Sequence, residues 1–423
     1  MARFAKTILP NGVRVVTEQV PAIRSVAVGV WVEVGSRHEL PAQNGISHFI
    51  EHMHFKRTRQ RTALHIAQAL ESLGGSLNAF TTREHTCYYA RVLNQHLPAA
   101  MELIGDILNH SLYTPADLRK EKSVVAEEIK DVADTPAEYV HDLFDSRMWK
   151  GGPLGQPIMG TAKNIRALTR SEVLAFLRDH YYQGPNIVVA ATGDVSHKAV
   201  TEMARRYFRW GDTRPNRQFM PPVANGFSLK AYPRKTKQSQ VCLGFPSIGF
   251  GDADRYPLLA ANTYLSGGMS SRLFQTVREK NGYCYSIVSF QEFFRDTGVF
   301  CVHYGADAKY VVKATALILK ELRRLKERRL SATELHEVKQ QLKGNLVLSL
   351  ESMYNRMDRI ARLEMMLGRQ ISLDEGLKLI DRITAAQIRA TVNRIFDIDR
   401  LTMCTLGPTR QADLEKIPWS TLK

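Results

Sequence analysis

Apolar residues cluster in short β-favouring runs at Ser25 to Val34 and Glu84 to Leu93, and recur at three- and four-residue intervals over Thr62 to Leu73 and Val312 to Arg329. The first pattern predicts strands and the second predicts long helices. Near the start, Leu9-Pro10-Asn11-Gly12-Val13 reads as a hairpin, because Asn-Gly is the strongest short turn signal between apolar runs. A hairpin makes at least part of the sheet antiparallel, so the fold class is α+β.

The patterning also repeats. Thr114-Pro115-Ala116-Asp117-Leu118 recurs as Ser331-Ala332-Thr333-Glu334-Leu335, an offset of 331 − 114 = 217. Ile165-Arg166-Ala167-Leu168-Thr169 recurs as Ile380-Asp381-Arg382-Ile383-Thr384, at 380 − 165 = 215. Each copy then opens a helix followed by an apolar strand, Ile187 to Thr192 in one and Leu401 to Leu406 in the other. A chain of 423 residues exceeds what one core usually holds. The expected organisation is therefore an internal duplication: a domain over 1–212, a Pro/Arg-rich linker over 213–225, and a second domain over 226–423.

Candidate chemistry lies in His48-Phe49-Ile50-Glu51-His52. On a helix, His48, Glu51 and His52 share one sector of roughly 100°, while Ile46, Phe49, Ile50 and Met53 occupy the opposite side. Histidines four apart can bind one metal ion, and the glutamate between them is placed to take a proton from water rather than to ligate. This order, H-x-x-E-H, is the inverzincin pattern. The competing reading is an ordinary surface helix that happens to bear histidines.

A catalytic zinc site needs a third protein ligand. Thr114 reads as an N-cap, Pro115 as the first helical residue and Asp117 as the capping partner of a helix running to Asp134. With Glu121 at 0°, Leu118, Val124, Val125, Glu128, Ile129 and Val132 fall within about 80° of it, one apolar stripe interrupted by two carboxylates. Glu127 points away, so the stripe selects Glu128 as the inward member of the Glu127-Glu128 pair and the third ligand. Glu121 becomes an outer residue orienting a ligand. The alternative is that both glutamates sit at the stripe edge and meet water or arginines.

These residues carry a family resemblance. Gly45-Ile46-Ser47-His48-Phe49-Ile50-Glu51-His52-Met53 and Glu121-Lys122-Ser123-Val124-Val125-Ala126-Glu127-Glu128-Ile129 resemble the signatures of the pitrilysin/insulinase zinc metallopeptidases. So do Ser266-Gly267-Gly268-Met269-Ser270-Ser271-Arg272-Leu273-Phe274 and the run from Val277-Arg278 to Tyr285. The chain is especially similar to a bacterial branch related to the processing-peptidase β subunit. The resemblance implies Zn2+ held by His48, His52 and Glu128, with Glu51 as general base and Glu121 beside the ligands. It also implies that Arg278 and Tyr285 complete the active site, and that Asn78, Ala79, Phe80, Thr81, Gly267 and Gly268 meet a peptide substrate. Two homologous halves facing each other as a clamshell, and a homodimer, are further implications. Departures are small: Lys56-Arg57-Thr58 stands where the family often has Lys-Gly-Thr, and Ser266 precedes two glycines where three are common. Shifting 48, 51, 52 and 128 by 217 gives Leu265, Gly268, Met269 and Asn345, so only the first copy is expected to hold metal.

Composition narrows the remaining classes. The net charge of +16 brings acidic partners into view, but the densest basic run, Lys320 to Arg329, has leucines at helical spacing and reads as a solvated helix face. No nucleic-acid-binding motif accompanies it, so neither nucleic acid nor membrane is expected as a partner. No apolar run approaches the roughly 18 residues of a membrane span. The amino terminus lacks an apolar signal core, and the five cysteines have no C-x-x-C spacing; both point to the cytoplasm. The expected activity is endopeptidase hydrolysis of peptides or extended segments bound between the halves, with a non-catalytic peptide-binding partner subunit as the competing reading.

Overall fold

The computed structural model describes residues 3–213 and 222–423, so the centre of the expected linker, 214–221, lies outside the described residues. In chain order the first half runs β1 (Arg3–Ile8), β2 (Arg14–Gln19), β3 (Ser25–Val32), α1 (Ile46–His54), α2 (Ala63–Glu71), β4 (Ser76–Thr81), β5 (Thr86–Leu93), α3 (Leu97–His110), α4 (Pro115–Asp134), α5 (Pro136–Met148), α6 (Ala162–Ala167), α7 (Arg170–Phe176), β6 (Ile187–Gly193) and α8 (His197–Tyr207). The second half runs β7 (Ser228–Pro233), β8 (Ser239–Ser247), α9 (Arg255–Ser266), β9 (Ser286–Phe293), β10 (Gly298–Ala306), α10 (Ala308–Glu327), α11 (Ala332–Ser349), α12 (Met353–Leu367), α13 (Leu373–Asp381), α14 (Ala385–Ile395), β11 (Thr402–Gly407) and α15 (Gln411–Glu415).

Among the described residues the strands form two sheets, ordered β1-β2-β6-β3-β5-β4 and β7-β11-β8-β10-β9. All pairings are antiparallel except β2 with β6 and β7 with β11. The second order repeats the first without β1, which gives the duplication a structural form. The helix pair α4 and α11 keeps the offset 332 − 115 = 217, and the strand pair β6 and β11 keeps 402 − 187 = 215. Most expected elements form close to their expected bounds. The strand expected from Glu84 starts at Thr86, because Thr82 accepts from the backbone of Glu84 and His85 and closes a turn before the ladder begins.

Strand periodicity accounts for the layers. In β3, Val26, Val28, Val30 and Val32 enter one core with Phe49, Ile50 and Met101, while Ala27 and Trp31 point through the other face. Successive residues alternate faces, and both faces of this sheet are covered, so the strand is apolar throughout. The second face packs on α12 through Met353, Met357, Ile360, Ala361 and Met365. The second sheet is covered in the same way, with α9, α10 and α14 on one face and α5 on the other through Val140, Phe144 and Met148.

The repeats have therefore exchanged a helix. The helix after α4 packs on the second sheet, and its counterpart after α11 packs on the first. One compact unit comprises Met1–Lys130, Gln156–Phe219 and Ser349–Gln370, and the other Asp131–Gly155, Met220–Leu348 and Ile371–Lys423. Packing units and sequence halves thus differ by these segments. Local periodicity fixes which face of a helix is apolar but not which sheet receives it.

All five cysteines are free and buried, as their scattered placement in apolar sequence suggests. No helix among the described residues is long and apolar enough to cross a membrane.

Candidate metal centre

Helix α1 is held by its apolar side. Ile46, Phe49, Ile50 and Met53 are fully or almost fully buried, and they leave His48, Glu51 and His52 on the other side of the same turn. Gly45 precedes the helix with φ 100°, and as glycine it offers no capping side chain. Glu39 supplies the acceptor instead. Its carboxylate accepts from Gly45 N at 2.7 Å, Ser47 N at 2.8 Å and Asn44 Nδ2 at 2.9 Å. Burial pushes the Glu39 carboxyl above its usual range, and these three donors oppose that shift. Sequence reasoning missed Glu39; the glycine where a capping side chain belongs was the available signal.

Helix α4 begins where expected. Thr114 Oγ1 accepts from Asp117 N at 3.1 Å and donates to the Asp117 carboxylate at 2.6 Å. Leu118, Glu121, Val125 and Ala126 are buried, whereas Val124, expected in the apolar stripe, is 37% exposed. The buried face is rotated toward Ala126, which leaves Glu128 at its edge with 40% of its side chain exposed. Glu121 is fully buried.

These two helices bring His48, His52 and Glu128 together. One ligand atom from each lies within 4.8 Å of the others, the one such cluster of three among the described residues. His52 Nδ1 donates to Glu121 Oε1 at 2.8 Å, and its Nε2 lies 3.4 Å from Glu128 Oε2. With its proton on Nδ1, the imidazole presents the Nε2 lone pair toward the cluster, the usual arrangement of an imidazole ligand oriented by an outer carboxylate. The other Glu121 oxygen lies 2.8 Å from Lys56 Nζ, so this buried carboxylate is doubly compensated and held below its usual range despite its burial.

The His48 ring lies 4.5 Å from the His52 ring, and its Nδ1 is buried without a hydrogen-bond partner among the described residues. Burial and the neighbouring His52 push its pKa down to about 3, so His48 is neutral and able to donate a lone pair. Burial acts to lower His52 as well, but the Glu121 hydrogen bond and the charges of Glu128, Glu121 and Glu51 outweigh it and raise the pKa. Two nitrogens and a carboxylate oxygen, with one nitrogen orphaned, suit a zinc ion. Glu51 stands beside this set. Its Oε2 accepts from Thr81 Oγ1 at 2.5 Å, and burial raises its carboxyl above the usual range.

Asn78, Ala79, Phe80 and Thr81 all lie on β4, an edge strand of the first sheet. Arg278 and Tyr285 belong to the second unit. There the Arg278 guanidinium carbon sits 4.6 Å from the Phe274 ring centroid and 5.1 Å from that of Tyr285, a residue that is 77% exposed. Gly267 ends α9 and its carbonyl accepts from Gln341; a Cβ there would come within 2.5 Å of the Thr263 carbonyl. Gly268 follows at the head of the same loop.

Comparison with known proteins places the chain in a family. Residues 14–162 match the insulinase domain of peptidase family M16, and residues 167–342 match the M16 inactive domain. The chain is 38% identical to an uncharacterized zinc protease of Streptomyces coelicolor, over 97% of this chain and 91% of that one. It is 36% identical to an uncharacterized zinc protease of Bacillus subtilis, over 92% and 95% respectively. In fold it is similar to the crystal structure of a protease from Helicobacter pylori, with a TM-score of 0.88 at 22% identity, covering 96% of this chain and 100% of that one. The two family matches include helices α1 and α4, which carry His48, His52 and Glu128, and the chain belongs to the insulinase family of peptidases, M16.

Proposed function

We propose that this chain is a zinc-dependent endopeptidase that hydrolyses peptides or extended protein segments. The observation that carries the reading is the convergence of His48, His52 and Glu128 beside a half-buried carboxylate, Glu51, that is not one of the three converging groups. Bound there, zinc would supply Lewis-acid polarisation of a scissile carbonyl and lower the pKa of water.

The chain's own residues do the rest. His48, His52 and Glu128 would hold the ion, and Glu121 fixes the His52 ring. Glu51 accepts a proton from the attacking water and returns it to the leaving amine; a carboxyl raised by burial is better matched to both transfers near neutral pH. Strand β4 offers its outer edge to an extended peptide by backbone pairing. On the family resemblance, the Tyr285 hydroxyl donates to the developing oxyanion, Arg278 steadies Tyr285 or the substrate, and Gly267 and Gly268 border the peptide. A non-catalytic subunit would have no use for this complete set.

The test couples metal analysis to digestion of a peptide mixture. The expected result is zinc in the purified protein, cleavage abolished by chelator and restored by zinc, and a Glu51→Gln variant that keeps the metal but loses kcat by about 10²–10⁴-fold. Wild-type turnover in Glu51→Gln would remove Glu51 as base. Peptide binding without cleavage by the zinc-loaded protein would favour the partner-subunit reading.

A further inference from the structure

Thr81 stands at the junction of two features that the proposed function treats separately, the base Glu51 and the outer strand β4. Its hydroxyl has one proton to give. Two acceptors are in range: Glu51 Oε2 at 2.5 Å and Thr86 Oγ1 at 3.4 Å. Thr86 sits directly opposite Thr81 across the β4–β5 ladder and is fully buried. Its own proton is committed to the Val34 carbonyl at 2.9 Å, and it accepts from Tyr181 Oη at 3.2 Å. Thr86 therefore has no proton to offer Thr81, and the long contact between them cannot compete with a short bond to a carboxylate. The Thr81 proton goes to Glu51.

Two consequences follow from that assignment. Among the described residues only Oε2 of Glu51 is tied by a hydrogen bond, so Oε1 is the oxygen left to receive a proton from water, and the carboxylate cannot turn without breaking a charge-assisted bond. Moreover, the residue that holds it terminates the strand to which an extended substrate would add, and the buried Thr86 and Tyr181 fix that strand end from behind.

Resting on the proposed peptidase reading, we infer that Thr81 is a positioning residue: its hydroxyl sets the orientation of the general base and ties it to the substrate-pairing strand. The test compares zinc-loaded wild type with Thr81→Val, Thr81→Ser and Thr81→Cys on a fluorogenic peptide. Thr81→Val, which keeps shape and loses the donor, should lower kcat on the order of 10- to 100-fold with KM within about twofold and zinc content unchanged. Thr81→Ser should stay within about threefold of wild type. Should Thr81→Val fail to fold, Thr81→Cys, with only a weak donor, must show the same loss of kcat. A Thr81→Val or Thr81→Cys enzyme with wild-type kcat overturns the inference. So does a variant whose KM rises while kcat holds, which would make Thr81 a substrate contact only. Failure of the underlying reading looks different, because the wild type itself would then show no zinc-dependent cleavage.

Discussion

Helices α1 and α9 hold the same place in the chain order, each following the strand at the centre of its sheet, yet they present opposite chemistry. Helix α1 carries His48, Glu51 and His52, whereas α9, from Arg255 to Ser266, contains no His, Cys, Asp or Glu. The same contrast holds between α4 and α11. At the repeat offset of 217, the fully buried Glu121 corresponds to Val338, 4% exposed, and Glu128 corresponds to Asn345. A valine at that buried position needs no partner, while Glu121 needs both His52 and Lys56. The same strand order is thus built in the second unit without these charges, so the fold does not require them.

The sharpest way to break this comparison is His48→Ala against Asn262→Ala on α9. The first should reduce bound zinc and peptide cleavage to background, and the second should change neither, by metal analysis and peptidase assay. Next come the exchanged helices. Phe144→Ala should cost about 3–5 kcal/mol and Met357→Ala about 2–5 kcal/mol of unfolding free energy. Hydrogen exchange should show the loss of protection in β8 and β11 for Phe144→Ala, and in β2, β3 and β6 for Met357→Ala. The opposite assignment would refute the exchange.

A smaller effect is expected at the buried pair on the carboxylate helices. Glu121→Ala should weaken zinc binding by about 10–100-fold, because the His52 ring loses its anchor. Val338→Ala should leave zinc binding unchanged and lower stability by about 1–2 kcal/mol, read from urea midpoints.

A last contrast concerns acid. Burial, helped by Arg362, pushes His85 of the first unit down to about 3, and burial, helped by His141, pushes His303 of the second down to about 4. Both are neutral in the fold, while the unfolded chain takes up protons near pH 6.5. Their stabilisation is complete above about 6.5 and drains away as pH falls toward those values. Urea midpoints at pH 7, 5.5 and 4.5 should therefore decline, and less steeply in His85→Gln. An unchanged slope in that variant would exclude His85 as a contributor.

Much of the site was legible because helical geometry does most of the work. Four residues of spacing place His48 above His52, and the α4 wheel separates Glu128 from Glu127. The wheel erred at Val124, since an 80° window cannot tell the centre of a buried face from its rim. Glu39 and the Thr81 bond to Glu51 were not legible in the same way. Both depend on segments distant in sequence meeting in space, and no local period encodes such a meeting. The exchange of α5 and α12 was hidden for a related reason: two similar sheets offer two similar docking faces, and the choice between them is tertiary.

That exchange also bears on how such a duplication persists. A polypeptide cut at the repeat boundary would leave Trp31, Ala27 and Val188 without the Met353, Met357 and Ile360 that cover them, and would leave Cys242 and Cys404 without Phe144. Neither fragment could close its own interior, so the copy without the His-His-Glu cluster cannot be deleted as redundant. It survives as an obligate co-folding partner, free to diverge everywhere except where it lends and receives a wall.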